Sequence, residues 1–259
     1  MSTTQRKGRG WLAAGLVVAI LLIGGGAWNV ASALSHEPIH RHHVWSGVTA
    51  VDIHAGNGSI TVVGADQAEV TVSASGSRGL SSPTDHESLK EGTLTIRSGC
   101  GITIGNNWCS LSYRLTVPRG ITVSADSGDS SVTAQGVRGH LSLSSGNGNV
   151  RAEGPAGTLS LHSGNGDVRV VGATSAHVTA TSGNGSVNLG FAQPPTDVTA
   201  HSGNGNVTVG LPDTTDAYQV SVHSGNGSTS TRVRTDPTSS RQVTASSGNG
   251  NVTLRYGPG

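Results

Sequence analysis

The four letters SGNG recur along this 259-residue sequence with a spacing that constrains its fold more than any other feature. The first glycine of the motif falls at Gly146, Gly164, Gly183, Gly203, Gly225 and Gly248, and two variants, AGNG and SGDS, carry it at Gly56 and Gly128. From Gly128 onward the steps are 18, 18, 19, 20, 22 and 23 residues, while Gly56 lies 72 residues earlier, a distance that four such steps would fill. Two short runs of alternating apolar and polar residues flank each copy, as half-buried strands do. The first apolar residue before the motif and the first expected inward residue after it are always nine positions apart. Val51 to Ile60, Leu141 to Val150 and Val198 to Val207 are examples. The return arc does not keep its length. It runs nine, nine, ten, eleven, thirteen and fourteen positions, from Val132–Leu141 to Thr229–Val243.

A corner of fixed length opposite an arc of variable length fits coils stacked on one another. The expected fold is all-β, a single-stranded β-solenoid of 18–23-residue coils. Its corner glycines are expected to supply positive φ. Identical side chains would lie about 4.8 Å apart in such a stack, so Asn57, Asn147, Asn165, Asn184, Asn204, Asn226 and Asn249 are predicted to form a corner ladder. A meander of Asn-Gly hairpins is the competing arrangement. It would need a second layer over its apolar face, and the sequence offers no amphipathic helix for that. The composition asks for a thin core in either case: 39 glycines, one phenylalanine and three tyrosines leave mainly Val, Ala, Leu and Ile to fill it.

Residues 11–28, WLAAGLVVAILLIGGGAW, are uncharged and follow Arg6, Lys7 and Arg9. That length of helix spans about 27 Å, close to the hydrocarbon thickness, and Trp11 and Trp28 mark its ends. The organisation predicted is a cytoplasmic end (1–10), a transmembrane helix (11–34), a juxtamembrane linker (35–47) and the solenoid (48–259). By the positive-inside rule the solenoid lies outside the membrane. Cleavage near Ala33, after ASA, is the alternative and would secrete it. Cys100 and Cys109 are the only cysteines, and export predicts a local disulfide between them.

The outward positions before each corner form two columns. One is Ser124, Ser142, Ser160, Thr179, Thr199, Ser221 and Thr244; the other is Asp126, Ser144, His162, Thr181, His201, His223 and Ser246. Such a face is either an ordinary soluble β surface or a recognition lattice for a hydroxyl-rich partner such as a glycan, with ice a weaker match. His201 and His223 are expected to be neighbours, yet no carboxylate joins them, and His36, His40, His42 and His43 lie in the expected tether, so no metal site is assigned. Calcium along the ladder is unsupported, because only Asp129 and Asp167 fall within the motif. A phosphate loop would need a helix after the glycines, and a strand pattern follows instead. No catalytic residues and no cofactor are assigned. Nothing in the near-neutral charge points to nucleic acid.

Insertions in repeats collect on one face, which is often the binding face. The long arcs 190–197, 210–219 and 232–242 therefore predict a binding edge, with Phe191 and Tyr218 as exposed anchors and Arg232, Arg234 and Arg241 as polar contacts. The alternative for these arcs is tolerated slack, since loops absorb insertions at small entropic cost.

The SG(N/D)G-x-V repeats, the lead-in YRLTVPRGITV at 113–123 and the N-terminal apolar segment resemble a bacterial family of unknown function. Its members are described as candidate adhesins with glycine-rich β-strand repeats. The resemblance covers roughly residues 48–259, and SGCG with the cysteine-bearing loop at 100–109 fits the repeat poorly. It implies a β-solenoid, exported or membrane-anchored, with no established enzymatic activity and no catalytic residues to carry over. The expected function is a non-catalytic, membrane-anchored scaffold presenting a binding edge to glycans or envelope proteins. The alternatives are a polysaccharide-active β-helix enzyme and an envelope-stress accessory protein acting through a membrane partner.

Overall fold

The computed structural model describes residues 37–78, 83–100 and 109–257. The expected cytoplasmic end and transmembrane helix lie outside the described residues. Alternating burial gives twenty-one strands among those described, with no helix between them. One end of the molecule is built from β1 (Glu37–Trp45), β2 (Ala50–Ala55), β3 (Ile60–Ala65), β4 (Val70–Arg78), β5 (Pro83–Lys90), β6 (Thr93–Cys100) and β7 (Ser110–Pro118). Regular coils follow, each a pair of strands around one corner. They are β8 (Thr122–Ser127) with β9 (Val132–Gln135), β10 (Leu141–Ser145) with β11 (Val150–Glu153), and β12 (Leu159–Ser163) with β13 (Val168–Ala173). Next come β14 (His177–Ser182) with β15 (Val187–Phe191), and β16 (Asp197–Ser202) with β17 (Val207–Leu211). The last are β18 (Gln219–Ser224) with β19 (Thr229–Arg232), and β20 (Gln242–Ser247) with β21 (Val252–Tyr256).

The first strand of each coil joins a ten-stranded sheet and the second an eleven-stranded sheet, parallel throughout the regular coils. Between the sheets lies the thin aliphatic core that the composition required, with Leu141, Leu143, Val150 and Ala152 all essentially inaccessible to solvent.

The spatial order of the coils departs from the order in sequence at both ends. In the ten-stranded sheet it reads β18-β20-β16 at one end and β8-β2-β6-β5 at the other. The last coil, β20–β21, is thus inserted between β16–β17 and β18–β19, and β18–β19 forms the edge. This accounts for the long arc from β17 to β18, which skips one coil, while the arc from β19 to β20 turns back to the adjacent coil. An added strand spacing of about 4.8 Å takes one or two extra residues at about 3.3 Å each.

At the other end Val51 pairs directly with Val123, so the Gly56 and Gly128 copies are adjacent coils and not four steps apart. The intervening chain leaves the stack and returns as an outer coil, β6–β7, against β2 and β3. Its corner is SGCG: Ser98 aligns with Ala55, and Gly56 N donates to Ser98 O at 3.0 Å. Leu94 aligns with Val51 and Tyr113 with Ile60, so this corner takes nineteen positions where the others take nine. The disulfide between Cys100 and Cys109 bridges the insertion and restores a short path around the corner. The segment Ser98–Cys100 therefore enters a true corner, although its sequence fits the repeat poorly.

Residues 37–45, expected to be part of a flexible tether, form β1, which pairs antiparallel with β4 along its whole length. A polar closure joins it to β5 across the end of the core. Asp85 accepts from Arg41 at 2.8 Å and from the Tyr113 hydroxyl at 2.7 Å, while Glu87 accepts from the Trp45 indole at 3.0 Å and bonds the His43 ring at 2.9 Å. Burial, with the Asp85 carboxylate beside it, holds the Tyr113 phenol protonated far above its ordinary range. The opposite end is finished differently. Thr229 and Thr231 of β19 stand where other coils place Val, Leu or Ala, and they are exposed. A polar edge coil of that kind is how a repeat stack ends in water.

Candidate functional site

Three surfaces carry the sequence-based expectations: the corner, the long-arc edge and the outer face of the ten-stranded sheet. The corner is structural. Asn147 Nδ2 donates to Asp129 at 2.7 Å, Asn165 to Asn147 at 2.7 Å, and Asn184 to Asn165 at 2.6 Å. The ladder continues through Asn204, Asn249 and Asn226 at 2.7 Å per rung, in the spatial order of the coils. Asn57, one coil below Asp129 by register, takes no part in it. Positive φ is not the reason for the glycines here: Gly136, Gly154 and Gly172, on the return side, have it, and the corner glycines do not. From Gly128 onward a Cβ on any corner glycine would lie under 3.0 Å from the backbone of the adjacent coil, as at Gly146 against Gly128 or Gly166 against Gly148. Close approach between coils selects glycine.

The serine of the motif was missed as a functional residue. Its hydroxyl is buried at Ser127, Ser145, Ser163, Ser182, Ser202 and Ser247. Each such oxygen from Ser145 onward accepts from the N–H of the second glycine of its own corner and donates to a backbone carbonyl of the coil below. At Ser163 these bonds are Gly166 N at 2.8 Å and Gly148 O at 2.9 Å. Strand parity was the available signal, since Leu159, Leu161 and Ser163 share one face.

The long-arc edge is not the exposed site it was expected to be. Phe191 is 5% exposed and Tyr218 is fully buried, so neither is a surface anchor. Both extend the inward alternation of a strand: Phe191 follows Val187 and Leu189, and Tyr218 precedes Val220 and Val222. Two of the three arginines hold the arcs in place. Arg234 Nη1 donates to Thr214 O at 2.9 Å, and Arg241 Nη1 to Pro194 O and Pro195 O at 3.2 and 3.1 Å, with Asp216 at 3.6 Å from its Nε. Arg232 is exposed, in register beside Arg255.

The buried Tyr218 hydroxyl has no hydrogen-bond partner among the described residues. Burial pushes its phenol up to about 12 from an ordinary 10.0, with Arg241 pulling down and Asp216 pushing up. Above pH 10 the unfolded chain has released that proton and the folded chain still holds it, so stability falls with rising pH between these two values. Tyr218→Phe is expected to flatten that decline in alkaline urea titrations. It should leave stability near neutral pH unchanged or about 1 kcal/mol higher, because a buried unpaired hydroxyl disappears.

The outer face of the ten-stranded sheet stays open. In spatial order one column reads Thr95, Asp52, Ser124, Ser142, Ser160, Thr179, Thr199, Thr244, Ser221, with one residue per strand in unbroken register. From Ser160 to Ser221 all are exposed. The second column places Ser246 between His201 and His223, so these two are not neighbours; His201 Nδ1 bonds Ser246 Oγ at 2.9 Å. His42 and His43 lie on β1, bonded to Ser73 and Glu87. Among the described residues no three His, Cys, Asp or Glu side chains gather as a metal-ligand set.

A family profile matches residues 109–256, more than half of the sequence. The chain belongs to the Toastrack DUF4097 family. Its resemblance to a candidate adhesin from Bacteroides fragilis has a TM-score of 0.52 at 16% identity, over 84% of this chain and 97% of that one, and the two share a fold. Similar at lower TM-scores are a candidate adhesin from Parabacteroides merdae (0.41, 9% identity, 84% and 96% covered) and a candidate lipid-binding protein from Parabacteroides distasonis (0.40, 11% identity, 84% and 96% covered). No curated protein matches the sequence. The Toastrack assignment fits an all-β repeat scaffold, with parallel sheets built from the corner motif.

Proposed function

We propose that this Toastrack chain is a non-catalytic, adhesin-like scaffold outside the membrane, anchored by the apolar segment at 11–34, and that its ten-stranded sheet carries the adhesive face. The observation that supports this reading is the run of exposed hydroxyls at Ser160, Thr179, Thr199, Thr244 and Ser221 on five neighbouring strands. Hydroxyls both donate and accept, and a rigid row of them about 4.8 Å apart suits a polymer that repeats the same groups, a cell-envelope glycan. The rigidity comes from the stack, so little ordering entropy is lost on binding.

Full-length protein in detergent, pulled down on immobilised envelope polysaccharides, tests the reading. The triple variant Thr179→Glu, Thr199→Glu, Thr244→Glu alters only exposed positions and places like charges on adjacent strands, which blocks close approach of a neutral or acidic glycan. Retention is expected to fall by at least about tenfold, the equivalent of one or two lost hydrogen bonds. Equal retention of variant and parent would remove the sheet face from consideration. Release of reducing ends from the same polysaccharides would favour the enzymatic alternative.

A further inference from the structure

Seven Asn-Gly pairs sit at the corners, and Asn-Gly is chemically the least protected dipeptide of a chain, because glycine leaves its backbone nitrogen open to the preceding side chain. Six of the pairs carry two restraints. The asparagine amide donates along the ladder, as Asn165 does to Asn147, and the glycine N–H is held by the serine of the motif. That second bond measures 2.8–2.9 Å at Gly148, Gly166, Gly185, Gly205, Gly227 and Gly250. The seventh pair, Asn57-Gly58, has neither restraint. Its corner reads AGNG, so Ala55 occupies the serine position and Gly58 N–H has no serine oxygen to meet. The Asn57 side chain is exposed and has no hydrogen-bond partner among the described residues. Asp129, the group above it in the stack, accepts from Asn147 on its other side.

We infer that Asn57-Gly58 is the self-modification site of this protein, where asparagine converts to aspartate and isoaspartate while the other six corners are protected. The Gly58 nitrogen gives up its proton to hydroxide and attacks Cγ of Asn57. As the new N–Cγ bond closes a five-membered succinimide, the Cγ–Nδ2 bond breaks and ammonia leaves, taking a proton from water. A second water opens the ring at either carbonyl, and no oxidant or metal enters. The product has local consequences. A carboxylate at position 57 faces Asp129 one coil above, and the isoaspartate form adds a methylene to the main chain. Gly58 there lies against the Leu111 carbonyl so closely that not even a Cβ fits. The strain falls on the contact between β2–β3 and the outer coil β6–β7.

The test is peptide mapping by mass spectrometry, with isoaspartate counted by methyltransferase labelling, on the full chain held in mildly alkaline buffer. Conversion at Asn57 is expected to run about tenfold faster than at any of the other six pairs, the weight of one ordinary hydrogen bond. In denaturant, where every corner is released, all seven should convert alike. Ala55→Ser, which restores the serine bond though not the ladder bond, should slow Asn57 toward the rate of its neighbours. Ser145→Ala should raise conversion at Asn147 alone and decides the matter independently if the first variant folds poorly. Asn226 separates protection from mere exposure, since it lies on the edge coil but keeps both bonds. Conversion that is fastest at Asn226, or equal at all seven corners of the folded chain, would overturn the proposal.

Discussion

Gly185→Ala is expected to cost at least about 3 kcal/mol in urea unfolding, whereas Gly172→Ala should cost only about 1 kcal/mol. Gly185 is the second glycine of a corner in the middle of the stack. A Cβ there would fall on the carbonyl of Gly166 and close to Asp167 N. Both are backbone atoms of the adjacent coil, so no side-chain rotation relieves the overlap. The coils must separate locally, and separation breaks the serine and asparagine bonds of the same corner. Gly172 has φ +64 and nothing within 4 Å of the Cβ position, so alanine there meets only the intrinsic penalty of the left-handed region. The comparison separates two reasons for glycine that look identical in sequence. Equal losses at the two sites would mean that conformational freedom, not contact between coils, selects the corner glycines.

The corner, the strand pairs and the asparagine ladder were legible because each follows from a local period. A nine-residue arc fixes which residues face inward, and parallel stacking aligns the rest. The order of the coils was not legible, and the repeat itself is the reason. The corners from Gly146 onward all offer the same carbonyls, serine and asparagine, so Gly248 seats on Gly203 as well as Gly225 would. Sequence adjacency then carries little weight against arc length, and β20–β21 enters the stack where β18–β19 was expected. One signal did mark the edge. Thr229 and Thr231 replace the Val, Leu or Ala of every other regular coil, which a buried coil could not accept without loss.

The binding edge failed for a related reason. Arc length does not here mean freedom to bind: one of the two longest arcs bridges an intervening coil, the other turns back to the adjacent coil, and Arg234, Arg241 and Asp216 fasten them. Phe191 and Tyr218 could have been placed by parity alone. Counting in twos from Leu189 and back from Val220 puts both rings inside, and large aromatics at those positions close the core where the arcs leave the sheet. This moves the search for an adhesive surface from loops to the flat hydroxyl face, whose composition is set by β propensity on one side and by exposure on the other.

Ser163→Ala should destabilise the protein by about 2–4 kcal/mol, more than Asn165→Ala beside it, which should cost about 1 kcal/mol. The serine hydroxyl is buried and makes one bond within its corner, from Gly166 N, and one to Gly148 O of the coil below. Alanine removes both partners' bonds and leaves the Gly166 N–H without its acceptor beside the buried serine position, with a desolvation cost of about 1–3 kcal/mol for a stranded group. Asn165 is exposed, so water replaces much of what its amide gives up. Because the stack is a one-dimensional array, the loss should appear first as local opening on either side of the altered corner. Hydrogen exchange at Gly166 and Gly148 reads this directly, with faster exchange at Gly166 N–H expected before any change in the global unfolding midpoint. If Asn165→Ala proved the more damaging of the two, the exposed ladder and not the buried serine would be the fastening between coils.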